Sequence, residues 1–205
     1  MPLRPVALWF ATLFLCGGVA GCSKQPIYRR TETLVLKPPL LVKPQAPVEG
    51  AVVGVPNFGM ISRDVWRGGE PSAEGLRMLG TLGVKTIMDL READESDAIP
   101  AGVRYVRVPV SAWRADQVDV ARVVELISTS PKPVFIHCRQ GRDRTGLAIA
   151  AYRLWQGMSV NDTIHELRAF HVNWWWDGPI CQRIQELHRQ GFSSSARAMI
   201  RRDDR

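Results

Sequence analysis

Residues 137–146 read His137-Cys138-Arg139-Gln140-Gly141-Arg142-Asp143-Arg144-Thr145-Gly146. Val134, Phe135 and Ile136 before them form a strand-like apolar run, and Leu147 to Trp155 after them a helix-like one. Cys138 and Arg144 therefore sit where a strand gives way to a helix, and the N–H groups of the intervening loop can converge near the sulfur. Such a loop is an anion cradle. The helix N-terminus and the guanidinium groups of Arg139, Arg142 and Arg144 favour thiolate over thiol. Cys138 reads as a nucleophile aimed at a bound oxyanion.

This stretch resembles the signature of the cysteine-dependent protein tyrosine and dual-specificity phosphatases: His-Cys, five residues, Arg, then Ser or Thr. The resemblance implies in-line attack by Cys138 on a phosphate monoester, with Arg144 holding the equatorial oxygens. It implies a phosphocysteine intermediate hydrolysed by water. It also implies that Thr145 hydrogen-bonds the sulfur as it leaves and that Gly141 lets the backbone turn tightly round the phosphate. Arg139, Gln140, Gly141, Arg142 and Arg144 would line the phosphate. No metal and no cofactor is expected, because Arg144 and the backbone amides supply the charge stabilisation.

Two other readings of the loop stay open. A buried structural cysteine beside a turn needs only one small apolar residue, and leaves two glycines and three arginines round one thiol without a reason. A rhodanese-type sulfurtransferase carries a similar loop, one residue shorter. Cys138, Arg139 and Gly141 fit it, but Asp143 falls where its closing arginine should be.

The phosphatase families place a proton-donating aspartate roughly thirty residues before the cysteine, on a mobile loop. Here that place holds Ser111, Ala112 and Trp113, with no carboxylate until Asp116. Asp116, ahead of Asp119 and the apolar-periodic Val120, Val123, Val124 and Ile127, reads as a helix N-cap. Asp143, inside the loop, is the favoured candidate for the general acid, since like-charge repulsion from a bound phosphate would raise its pKa. The loop resembles atypical bacterial and plant-type phosphatases in this respect.

Ahead of the domain, Arg4 and the apolar stretch Val6 to Leu15 are too short for an ordinary transmembrane helix, and Val19-Ala20-Gly21-Cys22 resembles a bacterial lipoprotein cleavage box. Residues 1–21 are expected to be a lipoprotein signal peptide, with a plain secretory peptide or an uncleaved anchor as the alternatives. Cys22 is then the lipidated first residue of an exported chain on the periplasmic face of a membrane, with Ser23 compatible with the outer membrane. Residues 22–50, rich in proline, read as an extended tether. Residues 51–192 are one phosphatase domain and residues 193–205 a basic polar tail.

The net charge is +7. Phosphate-bearing substrates and anionic headgroups account for it better than nucleic acid, whose surfaces carry aromatic interleaving. A monomer is expected.

Within the domain, strands near Val65 to Arg67, Val84 to Leu90, Val103 to Val110 and Val134 to His137 alternate with helices, which argues α/β with a mostly parallel central sheet flanked by helices. Ser72 is expected to cap a helix ended by Gly83, Ser159 to cap one through Phe170, and Pro179 to open a last helix to Gln190. The segments Arg67 to Ser72 and Lys85 to Arg91 also resemble atypical dual-specificity phosphatases. His137 is expected to tune the loop through hydrogen bonds. Trp174, Trp175 and Trp176 cannot all face one core. They are expected to pack against the catalytic helix, the alternative being that one ring lines the cleft or meets a membrane interface. Cys181 reads either as a buried apolar residue or as a redox partner for Cys138. The substrate is either phosphoprotein or, because Arg139 and Arg142 add cations to the cradle, an inositol phosphate or phosphoinositide. A tethered, catalytically poor phosphate-binding module stands as a third possibility.

Overall fold

The computed structural model describes residues 46, 51–93 and 98–192. The signal peptide, Cys22, the tether apart from Ala46, and the tail lie outside the described residues. Five strands run β1 (Gly59–Met60), β2 (Val65–Gly68), β3 (Thr86–Asp89), β4 (Arg104–Arg107) and β5 (Val134–His137). In space their order is β1-β2-β5-β3-β4. β1 is antiparallel to β2, and every other pairing is parallel. The expected mostly parallel α/β sheet is what forms.

The helices are α1 (Ala73–Thr81), α2 (Val120–Thr129), α3 (Asp143–Gln156), α4 (Val160–Ala169) and α5 (Trp174–Arg189), with a 3-10 segment at Ala112–Gln117. Strand residues alternate faces. Trp66, Ile87 and Phe135 join Leu76 and Leu79 of α1 in one core layer. Val65, Met88, Val134 and Ile136 join α2, α3, α4 and α5 in the other. α3 is buried from Arg144 to Gln156, which explains why its sequence is apolar almost all round. Of its two buried cations, Arg144 faces the loop at the start of the helix, and Arg153 donates to Glu166 of α4 at 3.0 and 2.8 Å.

The caps at Ser72 and Ser159 form as expected: Ser72 Oγ accepts from Gly75 N–H and Ser159 Oγ from Asp162 N–H. Two helix starts differ. The cap of α2 is Asp119, whose carboxylate accepts from Arg122 N–H, and Asp116 lies in the preceding 3-10 segment, so the capping role belongs three residues later. α5 starts at Trp174 rather than Pro179, because Asn173 Oδ1 accepts from Trp175 N–H and caps the helix there. The tryptophans therefore occupy its first turn. Trp174 and Trp175 are 72% and 67% exposed. Their rings stack on each other at 3.7 Å. Trp176 packs partly against the core.

The parallel register brings Gly68, Asp89, Arg107 and His137 to the same carboxyl edge of the sheet. Ligands of open α/β sheets bind outside that edge.

Candidate active site

Cys138 follows β5 directly, and its side chain is buried at the carboxyl edge. Residues 138–142 form the loop, and α3 opens at Asp143 with no side-chain cap on its first N–H groups. The loop carbonyls are tied outward. Arg139 O accepts from Glu70 N–H at 3.1 Å. Gln140 O accepts from Asn57 Nδ2 at 3.4 Å, and Gly141 O from Asn57 Nδ2 at 3.0 Å and Arg67 Nη2 at 2.7 Å. In a trans peptide the next residue's N–H points opposite to the carbonyl. The N–H groups of Gln140, Gly141 and Arg142 therefore face the loop's inner side. Among the described residues, no N–H of residues 139–145 donates to another protein group. An anion would satisfy them together.

Gly141 has φ +68° and lies against Gly68-Gly69. A Cβ there would come within 2.4 Å of Gly68 C, so glycine is required by both torsion and space.

Arg144 is buried, its Nη1 donating to Val110 O at 2.8 Å and Leu90 O at 3.4 Å. The loops after β3 and β4 thus fix one end of the guanidinium and leave its other N–H groups for a ligand. Arg139 and Gln140 are exposed and Arg142 half-buried. Thr145 Oγ1 is buried without a hydrogen-bond partner. The bond from Thr145 to the sulfur that the resemblance implied is not formed in this structure.

Asp143 Oδ1 accepts from Asn173 N–H at 2.8 Å. Burial pushes its carboxyl above the usual range, against the Asn173 N–H and the charges of Arg142 and Arg144. Asp116 is partly exposed, 4.0 Å from Arg114 Nε, and Trp113 beside it is 82% exposed.

His137 stacks on Phe135, and its Nε2 lies 3.9 Å from Asp89 Oδ1. Burial pushes its pKa down to about 4, with Asp89 opposing and Arg91 assisting. Neither ring nitrogen makes a well-formed hydrogen bond, although the Cys138 backbone beside the ring favours its charged form against burial.

Sequence reasoning missed the support around the loop. Asp89, fully buried, accepts from Arg91 N, Nε and Nη2 and from Tyr105 Oη. Burial pushes its pKa up, but the Arg91 hydrogen bonds and neighbouring His137 outweigh that and hold it below the usual range. Arg91 Nη1 also meets Glu70 at 2.7 Å. The available signal was a charged residue at or next to the end of a buried strand, Asp89 and Arg67, where only apolar ones are needed. Cys181 is placed elsewhere: its sulfur lies near Arg168 Nη2 and Asp177 Oδ1 in a groove of about 410 Å³ between α4 and α5. Both described cysteines are free.

The family model described as DSP-PTPase phosphatase fused to NAD+ kinase matches residues 60–174. The dual specificity protein phosphatase TpbA of Pseudomonas aeruginosa is 31% identical over 116 residues, which is 55% of this chain and 53% of that protein. The inositol diphosphatase DSP5 of Arabidopsis thaliana is 27% identical over 123 residues, 54% of this chain and 60% of its own. The chain thus spans a little over half the length of these curated relatives. The crystal structure of P. aeruginosa TpbA superposes with a TM-score of 0.60 at 24% identity, covering 74% of this chain and 95% of that one. At that identity the superposition speaks for the fold.

Proposed function

This chain belongs to the family described as DSP-PTPase phosphatase fused to NAD+ kinase, and on that premise we propose that it hydrolyses phosphate monoesters through a phosphocysteine intermediate. The observation that carries the reading is the loop itself: three carbonyls tied outward, unpartnered N–H groups facing inward, and Arg144 buried at its end on the Val110 and Leu90 carbonyls.

The thiolate of Cys138 attacks phosphorus in line, forming an S–P bond as the ester P–O bond breaks. Asp143, its carboxyl raised by burial, gives its proton to the departing oxygen. The loop N–H groups and Arg144 hold the equatorial oxygens as charge shifts. In the second step the Asp143 carboxylate takes a proton from water. That water attacks phosphorus, the S–P bond breaks, and phosphate leaves with the thiolate restored.

The substrate reading is phosphoprotein, with phosphotyrosine and dual-specificity chemistry, as the name of the TpbA relative supports. A second reading has its own support. Arg139 is exposed and Arg142 half-exposed at the cradle, which suits polyphosphorylated rings, and one relative is named an inositol diphosphatase. Side-by-side kcat/KM values for a phosphotyrosine peptide and inositol pyrophosphates separate the two. A preference of more than about tenfold for the rings, some 1.4 kcal/mol, would reverse the assignment.

The domain is proposed to work outside the cytoplasm, on the periplasmic side, tethered through residues 22–50 to a lipid on Cys22. The support is the sequence Val19-Ala20-Gly21-Cys22. Metabolic labelling with palmitate that persists in Cys22→Ser would remove the anchor from the account.

A further inference from the structure

Arg67, on β2, is fully buried next to the loop. Its Nη2 donates to Gly141 O at 2.7 Å. Its guanidinium carbon lies 3.8 Å from the centre of the Phe170 ring. Its Nε and Nη1 have no hydrogen-bond partner. A guanidinium carries five N–H donors, and burying one with so few acceptors is costly. Packing alone does not call for it, since an apolar side chain of similar volume would cover Phe170 without leaving donors unsatisfied.

No carboxylate hydrogen-bonds this charge, although Glu166 supports it electrostatically. Glu166 of α4 is bound by Arg153. Asp89 and Glu70 are bound by Arg91. Asp143 accepts from Asn173 N–H. The other charged groups at the loop are cations or a buried imidazole: Arg139, Arg142, Arg144 and His137. Asn57 reinforces the same point from a second direction. Its Nδ2 donates to Gly141 O and, at 3.0 Å, to Phe170 O.

We propose that Arg67 is a positioning residue of the phosphate cradle. Its Nη2 holds the Gly141 carbonyl outward so that the Arg142 N–H faces the anion. Its charge, hydrogen-bonded to no carboxylate, favours a thiolate or oxyanion in the loop. This rests on the reading of the loop as a phosphate cradle. The electrostatics agree: burial pushes the Arg67 pKa down to about 10, while Glu166 and Cys138 oppose that shift. The arrangement also ties the loop to Phe170, the residue that ends α4.

The test uses the full chain, reduced and in detergent, and requires no turnover. Alkylation of Cys138 by iodoacetamide at about pH 6, where only thiolate reacts, is followed by peptide mass with and without tungstate as a phosphate-shaped probe. Arg67→Met is expected to slow alkylation about tenfold and to raise the tungstate concentration for half-protection about tenfold, as removal of a desolvated charge and a cradle support implies. Arg67→Lys, which keeps the charge, is expected to restore the alkylation rate to within about threefold. A folded Arg67→Met protein with the wild-type rate and wild-type protection overturns the proposal, and a loss of thermal stability alone would mark Arg67 as merely structural. Should Arg67→Met not fold, the wild-type 15N spectrum decides: tungstate must shift the Arg67 Nε resonance, and no shift overturns it. Absence of tungstate protection in the wild type would instead bring down the cradle reading.

Discussion

The carboxylate of Asp143 accepts a 2.8 Å hydrogen bond from the backbone N–H of Asn173, the residue that caps α5. The candidate proton donor on the catalytic loop is thereby fixed to a helix thirty residues away in sequence. Its orientation does not depend on a mobile upstream loop.

Asp143→Asn is accordingly expected to cut kcat for a phosphotyrosine peptide by roughly 10²- to 10³-fold while sparing an activated aryl phosphate, whose leaving group needs little protonation. Asp116→Asn should leave both substrates unaffected. Steady-state kinetics on the two substrates check this, and the reverse pattern would move the acid to Asp116.

Gly141→Ala is expected to lose anion binding and about 1–3 kcal/mol of stability, because φ +68° is strained for alanine and the added carbon meets the Gly68 backbone. Urea denaturation and tungstate titration measure the two effects. Backbone atoms cannot step aside as a side-chain tip can, so an alanine variant of wild-type stability would contradict the described packing.

The fold's outline was legible from the sequence because strand alternation and the Ser72 and Ser159 caps are local signals. Val134 to His137 and the helix after the loop are bounded by their own residues. What was not legible depends on partners distant in sequence. Arg67 reaches Gly141 across 74 positions and Asn57 reaches it across 84. The start of α5 was misread because Pro179 is a strong opening signal, whereas Asn173 wins by capping Trp175 N–H. Asp116 and Asp119 offered the same chemistry three residues apart, and only the packing of Val120 and Val123 selects Asp119. The signature loop itself was fully readable, but the side chains that hold its carbonyls outward were not.

Stability should fall in mild acid through His137. The unfolded chain takes up this proton near 6.5 and the native protein only near about 4. Between those values the unfolded state binds more protons, so stability drops as pH falls through that window. The loss reaches about 3 kcal/mol at roughly 1.4 kcal/mol per pH unit. Asp89, held below the usual carboxylate range, adds its own loss only at more acidic pH. Denaturation midpoints across the window test this, and a His137→Gln protein should show a flatter profile.

Glu166→Ala is expected to destabilise the domain by about 3–5 kcal/mol, since it strands the buried Arg153 cation. Replacing both, Arg153→Met with Glu166→Leu, should recover most of the loss. Chemical denaturation of the single and double variants reads the coupling directly.

The central claim is most directly tested by hydrolysis of an activated aryl phosphate by the full chain, reduced and with chelator present, alongside Cys138→Ser and Arg144→Ala. The account predicts turnover that survives chelation, a phosphorylated Cys138 peptide on rapid acid quench, and loss of activity in both variants. A folded, reduced wild type that binds tungstate without turning over substrate, or a Cys138→Ser protein that keeps its activity, would contradict it.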